Sequence, residues 1–126
     1  MRPFDPSAWI EGPILSPVGI TVAGELPDRG QWLVPTIVQL ELAKWLRREV
    51  GEDKADQVAA FTETCLVADL DTRIALSAAD LCATHKLATA DAIVLATALA
   101  YGADLLTCDR HFEGLQGVRF VPKSIG

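Results

Sequence analysis

Ala88-Thr-Ala-Asp-Ala-Ile-Val-Leu-Ala-Thr-Ala-Leu-Ala-Tyr-Gly-Ala-Asp-Leu-Leu-Thr-Cys-Asp109 is the stretch whose reading decides the fold. From Ile93 to Ala100 every residue except Thr97 is apolar, so the helix predicted here has no polar face and belongs at the centre, surrounded by protein. Gly102 offers the left-handed residue on which helices commonly stop, and the apolar run from Ala103 to Cys108 then reads as a strand packed on both faces. Acids stand at both ends of this unit: Asp91 in the first turn of the helix and Asp109 immediately after the strand. In an open α/β sheet, a helix start and the carboxyl edge of a parallel strand can share the side on which such folds bind ligands. Two carboxylates aimed at one crevice point to a metal site.

Working back from this unit, Asp71 caps a predicted helix whose stripe Ile74, Ala75, Ala78, Leu81, Cys82 and His85 keeps helical period, with a two-residue break at Lys86 and Leu87. Cys65 to Ala68 reads as a short interior strand. Before it, Gly51 breaks a helix and Asp53 caps the next, which runs to about Thr62. Trp32 to Pro35 is a brief apolar strand, and Thr36 with Gln39 has the form of a capping box opening a helix from Ile37 to about Val50. The apolar set of that helix, Ile37, Val38, Leu42, Trp45 and Leu46, covers one side, and Glu41 falls inside the arc. Burying an unpaired carboxylate is expensive, so Glu41 needs a partner. One alternative is that its side chain reaches the rim or pairs with Lys44 or Arg48 on adjacent turns.

At the N-terminal end, Arg2 to Phe4 is a minimal strand, and Asp5-Pro-Ser-Ala-Trp-Ile-Glu reads as a short helix with Asp5 as its cap and Pro6 at the first helical position. Residues 12–30 read as a loop around one amphipathic helix, roughly Val18 to Leu26. The chain closes with a loop containing Gly114 and Gly117 and a strand from Val118 to Val121. Strand and helix alternate throughout, the signature of an α/β fold in which a central, mostly parallel sheet is flanked by helices.

The 126 residues fit one domain, 1–126, with one core. An apolar content of 50% with 22% charged residues is a folded, globular composition. No apolar run reaches the ~18 residues needed to span a bilayer, and the start, Met-Arg-Pro-Phe-Asp-Pro, has no hydrophobic signal region, so the expected location is the cytoplasm with no membrane association. Cys65, Cys82 and Cys108 are odd in number and lie in apolar contexts without metal-ligand spacing, which reads as buried reduced thiols. The net charge of -6 argues against a wholesale basic surface for nucleic acid. It leaves room for a phosphate substrate, because an acidic site holding divalent cations reverses its own local sign.

Four acids stand at element ends or on buried faces: Asp5, Glu41, Asp91 and Asp109. Singly, each has an ordinary explanation as a cap, a rim ion pair, a complement to a helix dipole or a turn residue. Together they fall where a doubly wound sheet puts its functional edge. The segments that carry them are Asp5-Pro-Ser-Ala-Trp-Ile-Glu, Val34-Pro-Thr-Ile-Val-Gln-Leu-Glu-Leu, Thr89-Ala-Asp-Ala-Ile-Val-Leu-Ala-Thr-Ala and Leu106-Thr-Cys-Asp-Arg-His-Phe. In order and spacing they resemble the four signature segments of the PIN-domain ribonucleases, most of all the VapC-type toxins of toxin-antitoxin pairs. The resemblance runs from the first strand to the last and implies a single three-layer PIN-like domain. It places the family's four acids on Asp5, Glu41, Asp91 and Asp109, and matches Ser7 and Thr107 to small hydroxyl residues that line the site in relatives. Pro6 departs from the pattern, which usually has Ser or Thr there.

What the resemblance implies is a divalent-metal-dependent endoribonuclease. The four carboxylates would hold one or two Mg²⁺ or Mn²⁺ ions, hard cations that take oxygen ligands, and a metal-activated water would hydrolyse RNA phosphodiesters to leave a 5'-phosphate and a 3'-hydroxyl. Lys44, Arg48 and Arg110, with His111 beside it, are candidates for meeting the phosphates that flank the cut. The resemblance further implies a homodimer and a cognate antitoxin whose C-terminal segment lies across the acidic groove. Trp9, Ile10, Ile14 and Trp45 are the exposed apolar candidates for such contacts. Two competing readings keep the same fold: a catalytically inactive PIN-like binding module, and a DNA- or structure-specific nuclease of the same superfamily. A phosphorylation-dependent receiver domain fits worse: it needs an acidic pair after the first strand, a phosphoacceptor Asp after the third and a Lys after the last, whereas only a single Asp5 follows the first strand and no strand is followed by a suitable Lys.

Overall fold

The computed structural model describes residues 2–3 and 32–120. Its elements run β1 (Arg2–Pro3), β2 (Trp32–Pro35), α1 (Thr36–Glu49), α2 (Glu52–Glu63), β3 (Leu66–Ala68), α3 (Thr72–His85), α4 (Thr89–Ala100), β4 (Leu105–Thr107), a 3-10 turn (Arg110–Phe112) and β5 (Val118–Phe120). All the pairings among the described residues are parallel. Strand β2 lies between β1 and β3, with Val34 opposite Val67 and Pro35 opposite Ala68. Strand β4 pairs β5, with Leu106 opposite Arg119. β1 also contacts β4, so the two ladders lie side by side. This is the α/β architecture that the alternation of strand and helix predicts. The short helix at Asp5 to Glu11, the loop helix at Val18 to Leu26, residues Asp5, Ser7, Trp9, Ile10 and Ile14, and the last residue of the final strand, Val121, lie outside the described residues. No helix among the described residues is long and apolar enough to cross a membrane.

Helix α4 holds the centre. It packs against α3, α1 and strands β1, β2 and β4, and Ala92 and Val94 through Ala98 are buried. Thr97, the one polar residue of that run, is satisfied by donating its hydroxyl to the Ile93 carbonyl at 2.7 Å. Enclosure is incomplete at the last turn, where Leu99 is 43% exposed, because the helix leaves the core there on its way to the stop. Gly102 has φ 64, its N–H donates to the Leu99 carbonyl at 3.1 Å, and the Ala103 N–H reaches back to the Ala98 carbonyl at 2.9 Å. These two bonds satisfy carbonyls that a helix end otherwise leaves open. The chain then reverses directly into β4, whose three residues are all buried.

Three local expectations are corrected. Thr36 and Gln39 do not form a capping box. Pro35, extended at φ -61 and ψ 142, occupies the cap without a side-chain bond, and Thr36 is already helical. Gln39 Nε2 donates instead to Thr62 Oγ1 at 3.1 Å and ties α1 to α2. Asp53 is not a cap either: Gly51, at φ 145, precedes a helix that opens at Glu52, and both acids sit in the first turn, where they complement the dipole. The strand after α2 starts at Leu66 rather than Cys65, and Leu66 is 39% exposed, so this is an edge strand and not an interior one. Asp71 does cap α3, accepting the Ile74 N–H at 2.9 Å. The buried stripe of α3 is narrower than its periodicity implies, since Ala75 and His85 are exposed, and of the three free cysteines Cys108 is buried whereas Cys65 and Cys82 are only half-buried.

Gly117 shows why the loop before β5 carries glycines. Its φ is +83, and a Cβ built there would lie 2.9 Å from Leu99 Cδ2. Gly117→Ala should cost about 1–2 kcal/mol from the left-handed backbone, read as a lower urea midpoint with an unchanged slope. Leu99→Ala in the same chain should recover little of it, because the half-exposed Leu99 tip can move aside whereas φ cannot.

Candidate metal centre

Asp91 is in the first turn of α4, one turn after Ala88, an N-cap that offers no side-chain bond. Asp109 follows β4 and caps the 3-10 turn. Its Oδ1 accepts the backbone N–H of His111 at 2.9 Å and lies 3.1 Å from His111 Nδ1. Its own N–H donates to Thr107 Oγ1 at 2.9 Å, so the buried threonine at the end of β4 fixes the backbone of the acid that follows. One donor atom each from Asp91, Asp109 and His111 lie within 4.8 Å of one another. Asp91 is pushed above the ordinary aspartate value, first by burial, then by the Asp109 carboxylate, with a further contribution from Glu41; His111 works the other way.

Glu41, half-buried on the second turn of α1, does two things at once. Its Oε2 is 3.4 Å from Lys44 Nζ, the rim pairing that its helix position allows, and its charge still reaches Asp91. The structure therefore brings Asp91 and Asp109 together, sets Glu41 within electrostatic range and leaves Asp5 and Ser7 outside the described residues. Among the described residues, Lys44 alone of the three basic candidates pairs with one of these acids. Arg48 pairs with Glu49 at 2.8 Å. Arg110 pairs with Glu113 at 3.4 Å and stands 5.5 Å from the Phe120 ring centroid.

Two residues at this place were not read as part of it from the sequence. His111 was grouped with Arg110 as a phosphate contact, yet it belongs to the donor cluster. Lys86 lines, with His85, Leu87, Ala88, Asp91 and His111, a cleft of about 310 Å³. It gets there because it ends α3 in the left-handed conformation, φ 56 and ψ 36, and turns the chain into α4. The signal for His111 was its spacing two residues after an acid that follows a strand, since an Asp capping a tight turn draws residue i+2 over itself.

The donor set suits a hard divalent cation. Like charges a few ångströms apart repel by about 1–4 kcal/mol per pair at effective dielectrics between water and a protein surface. Burial first, and then the neighbouring carboxylates, raise the Asp91 value, and a cation would relieve the surplus negative charge.

Parallel strands, a central helix and carboxylates meeting where a strand ends and a helix begins define an α/β domain with an acidic, cation-seeking notch. The chain belongs to the PIN domain family, whose model matches residues 5–118. Solved structures share the fold. One is a toxin-antitoxin complex from Klebsiella pneumoniae, with TM-score 0.78 and 22% identity over 94% of this chain and 96% of that one. Another is VapC20 of Mycobacterium tuberculosis, described as a sarcin-ricin loop cleaving toxin, with TM-score 0.75 and 17% identity over 96% of this chain and 97% of that one. A third is VapBC2 from Rickettsia felis bound to a DNA fragment from its promoter, with TM-score 0.70 and 12% identity over 98% and 100%. No curated protein sequence matches the chain significantly.

Proposed function

We propose that the chain is a single-domain, divalent-metal-dependent endoribonuclease and the toxin of a toxin-antitoxin pair, working in the cytoplasm. The observation that carries this is the convergence of Asp91 and Asp109, with Glu41 in range, inside a PIN domain. RNA as substrate and an antitoxin as partner are supported by what similar folds are described as doing, cleaving the sarcin-ricin loop and forming toxin-antitoxin complexes.

Asp91 and Asp109 are the residues to hold Mg²⁺ or Mn²⁺, directly or through water. Asp5 joins them on the strength of its place in the first signature segment, and Ser7 is its nearby hydroxyl. Glu41 is either a further ligand or the group that orients the attacking water, and Lys44, paired to it, restrains its carboxylate. Bound there, the cation supplies Lewis-acid polarisation of the scissile phosphodiester and makes water a better nucleophile. Lys86 at the cleft edge is placed to meet a phosphate beside the cut. Lys44, Arg47 and Arg48 line, with Leu40 and Ala43, a groove of about 690 Å³ along α1, a basic track on an acidic protein that suits the flanking backbone. Arg110, held by Glu113 and close to Phe120, is the weakest of the phosphate candidates. An antitoxin segment covering the cleft would place a cationic side chain, arginine for preference, against the carboxylates. In the proposed homodimer Trp45 is a poor contact, being half-buried against the core, whereas Leu40 and Leu76 are exposed.

The test is incubation of the purified protein with bulk RNA and with single-stranded DNA, each with Mn²⁺ or with EDTA. RNA cut only with Mn²⁺ is the expected result. DNA cut in place of RNA would make it a DNA nuclease of the same superfamily. RNA bound but intact in every condition would make it a binding module.

A further inference from the structure

We propose that His111 is a metal ligand that tilts this centre toward Mn²⁺ over Mg²⁺. The inference rests on the proposal that the acidic notch holds a divalent cation, and goes beyond it by adding a nitrogen donor to a site otherwise made of carboxylates. Three observations support it. The donor atoms of His111, Asp91 and Asp109 lie within 4.8 Å of one another. Ligands of a single ion at ~2.1 Å stand at most ~4.2 Å apart, so closing the set takes a shift of about half an ångström. The side chain that must move is free to do so: the ring is 78% exposed, and its Nδ1 lies 3.1 Å from Asp109 Oδ1. The backbone beneath it is fixed, by the bond from the His111 N–H to Asp109 Oδ1 and by the fully buried Phe112 that follows. A mobile ring on an anchored backbone can close on an ion without disturbing the fold.

The third observation is that His111 and Asp91 line the same cleft. An imidazole nitrogen binds first-row transition metals with an affinity that Mg²⁺, which keeps oxygen ligands and water, does not share. Adding such a donor to two carboxylates strengthens Mn²⁺ binding selectively.

The test uses the metal ions alone, titrated into the metal-free protein by calorimetry, together with pulsed electron paramagnetic resonance of the Mn²⁺ complex. Nitrogen-14 modulation of the Mn²⁺ signal is expected in the wild type and absent from His111→Ala and His111→Asp. His111→Ala is expected to weaken Mn²⁺ by about tenfold or more and to change Mg²⁺ by no more than about twofold. His111→Asp, which replaces nitrogen by oxygen, should bind both ions with the Mn²⁺ preference reduced. The midpoint of urea unfolding in EDTA should be unchanged in His111→Ala, since the ring is exposed. Wild-type Mn²⁺ binding without nitrogen coupling, or an equal loss of both ions in His111→Ala, would overturn the role of His111 while leaving the carboxylate centre intact. Failure of the wild type to bind either ion would overturn both.

Discussion

Asp91→Asn is expected to reduce metal-dependent RNA cleavage by roughly a thousandfold and, in EDTA, to make the protein more stable than the wild type. The first half follows from its place at the notch: in the proposed function this carboxylate holds the cation, and losing it forfeits about 4 kcal/mol of transition-state stabilisation, each ~1.4 kcal/mol being a factor of ten. The second half follows from the electrostatics of the metal-free site. Burial and the Asp109 and Glu41 carboxylates raise the folded-state value of Asp91 above 3.8, so the native chain holds this proton more tightly than the unfolded chain. Its contribution to stability is therefore present at pH below the unfolded value and is lost as pH rises through the folded one. Above that range the ionised Asp91 works against the fold, and Asn, nearly the same shape and neutral, removes the penalty. The gain is on the order of 1 kcal/mol once solvent screening of partly exposed carboxylates is allowed for. Melting curves in EDTA across rising pH should show the wild type falling away from Asp91→Asn, and Mn²⁺ should reverse the order, because only the wild type gains binding free energy. A variant less stable than wild type in EDTA at every pH would mean that the Asp91 carboxylate makes a structural contact instead.

The parts of the fold legible in the sequence were those decided within a few residues. The run from Ile93 to Ala100, the stop at Gly102 and the cap at Asp71 each follow from local sterics or a bond three residues long, and the structure has all of them. The start of α1 was misread because Thr-x-x-Gln looks the same whether Thr is the cap or the first helical residue. What decides is the pairing of Pro35 with Ala68, which keeps Pro35 extended to the last residue before the helix. The edge position of Leu66 is likewise a fact of strand order, invisible to a three-residue pattern. At the candidate site, Asp91 and Asp109 were legible because helix starts and strand ends are local features. From the pattern of its own helix Glu41 was legible only as a carboxylate in need of a partner, while the resemblance placed it among the four acids; it has Lys44 beside it and the field of Asp91 in reach. His111 and Lys86 arrive through backbone turns, a 3-10 turn and a left-handed residue, that aim side chains across a gap between α4 and the end of β4. Periodicity carries no information about such aim.

Phe112→Ala is expected to have the largest effect on stability and to weaken the metal centre without touching a carboxylate. Phe112 is fully buried in the core cluster and ends the turn that carries Asp109 and His111. Truncating such a side chain costs about 3–5 kcal/mol, a large share of the roughly 5–15 kcal/mol that holds a domain together. The loss falls on this turn in particular. The Phe112 N–H donates to the Asp109 carbonyl at 3.2 Å and the Leu115 N–H to the Phe112 carbonyl at 3.1 Å, so once the ring no longer anchors it, the segment can open locally. Asp109 then loses the His111 N–H that orients its Oδ1, and only the bond from its own N–H to Thr107 Oγ1 remains. Urea unfolding should place Phe112→Ala well below Phe112→Leu, which keeps most of the volume and should lose less than about 2 kcal/mol. Mn²⁺ titration of the folded population should show weakened binding in Phe112→Ala and near-normal binding in Phe112→Leu. Metal affinity unchanged in a strongly destabilised Phe112→Ala would instead assign the placement of Asp109 to β4 and Thr107 alone.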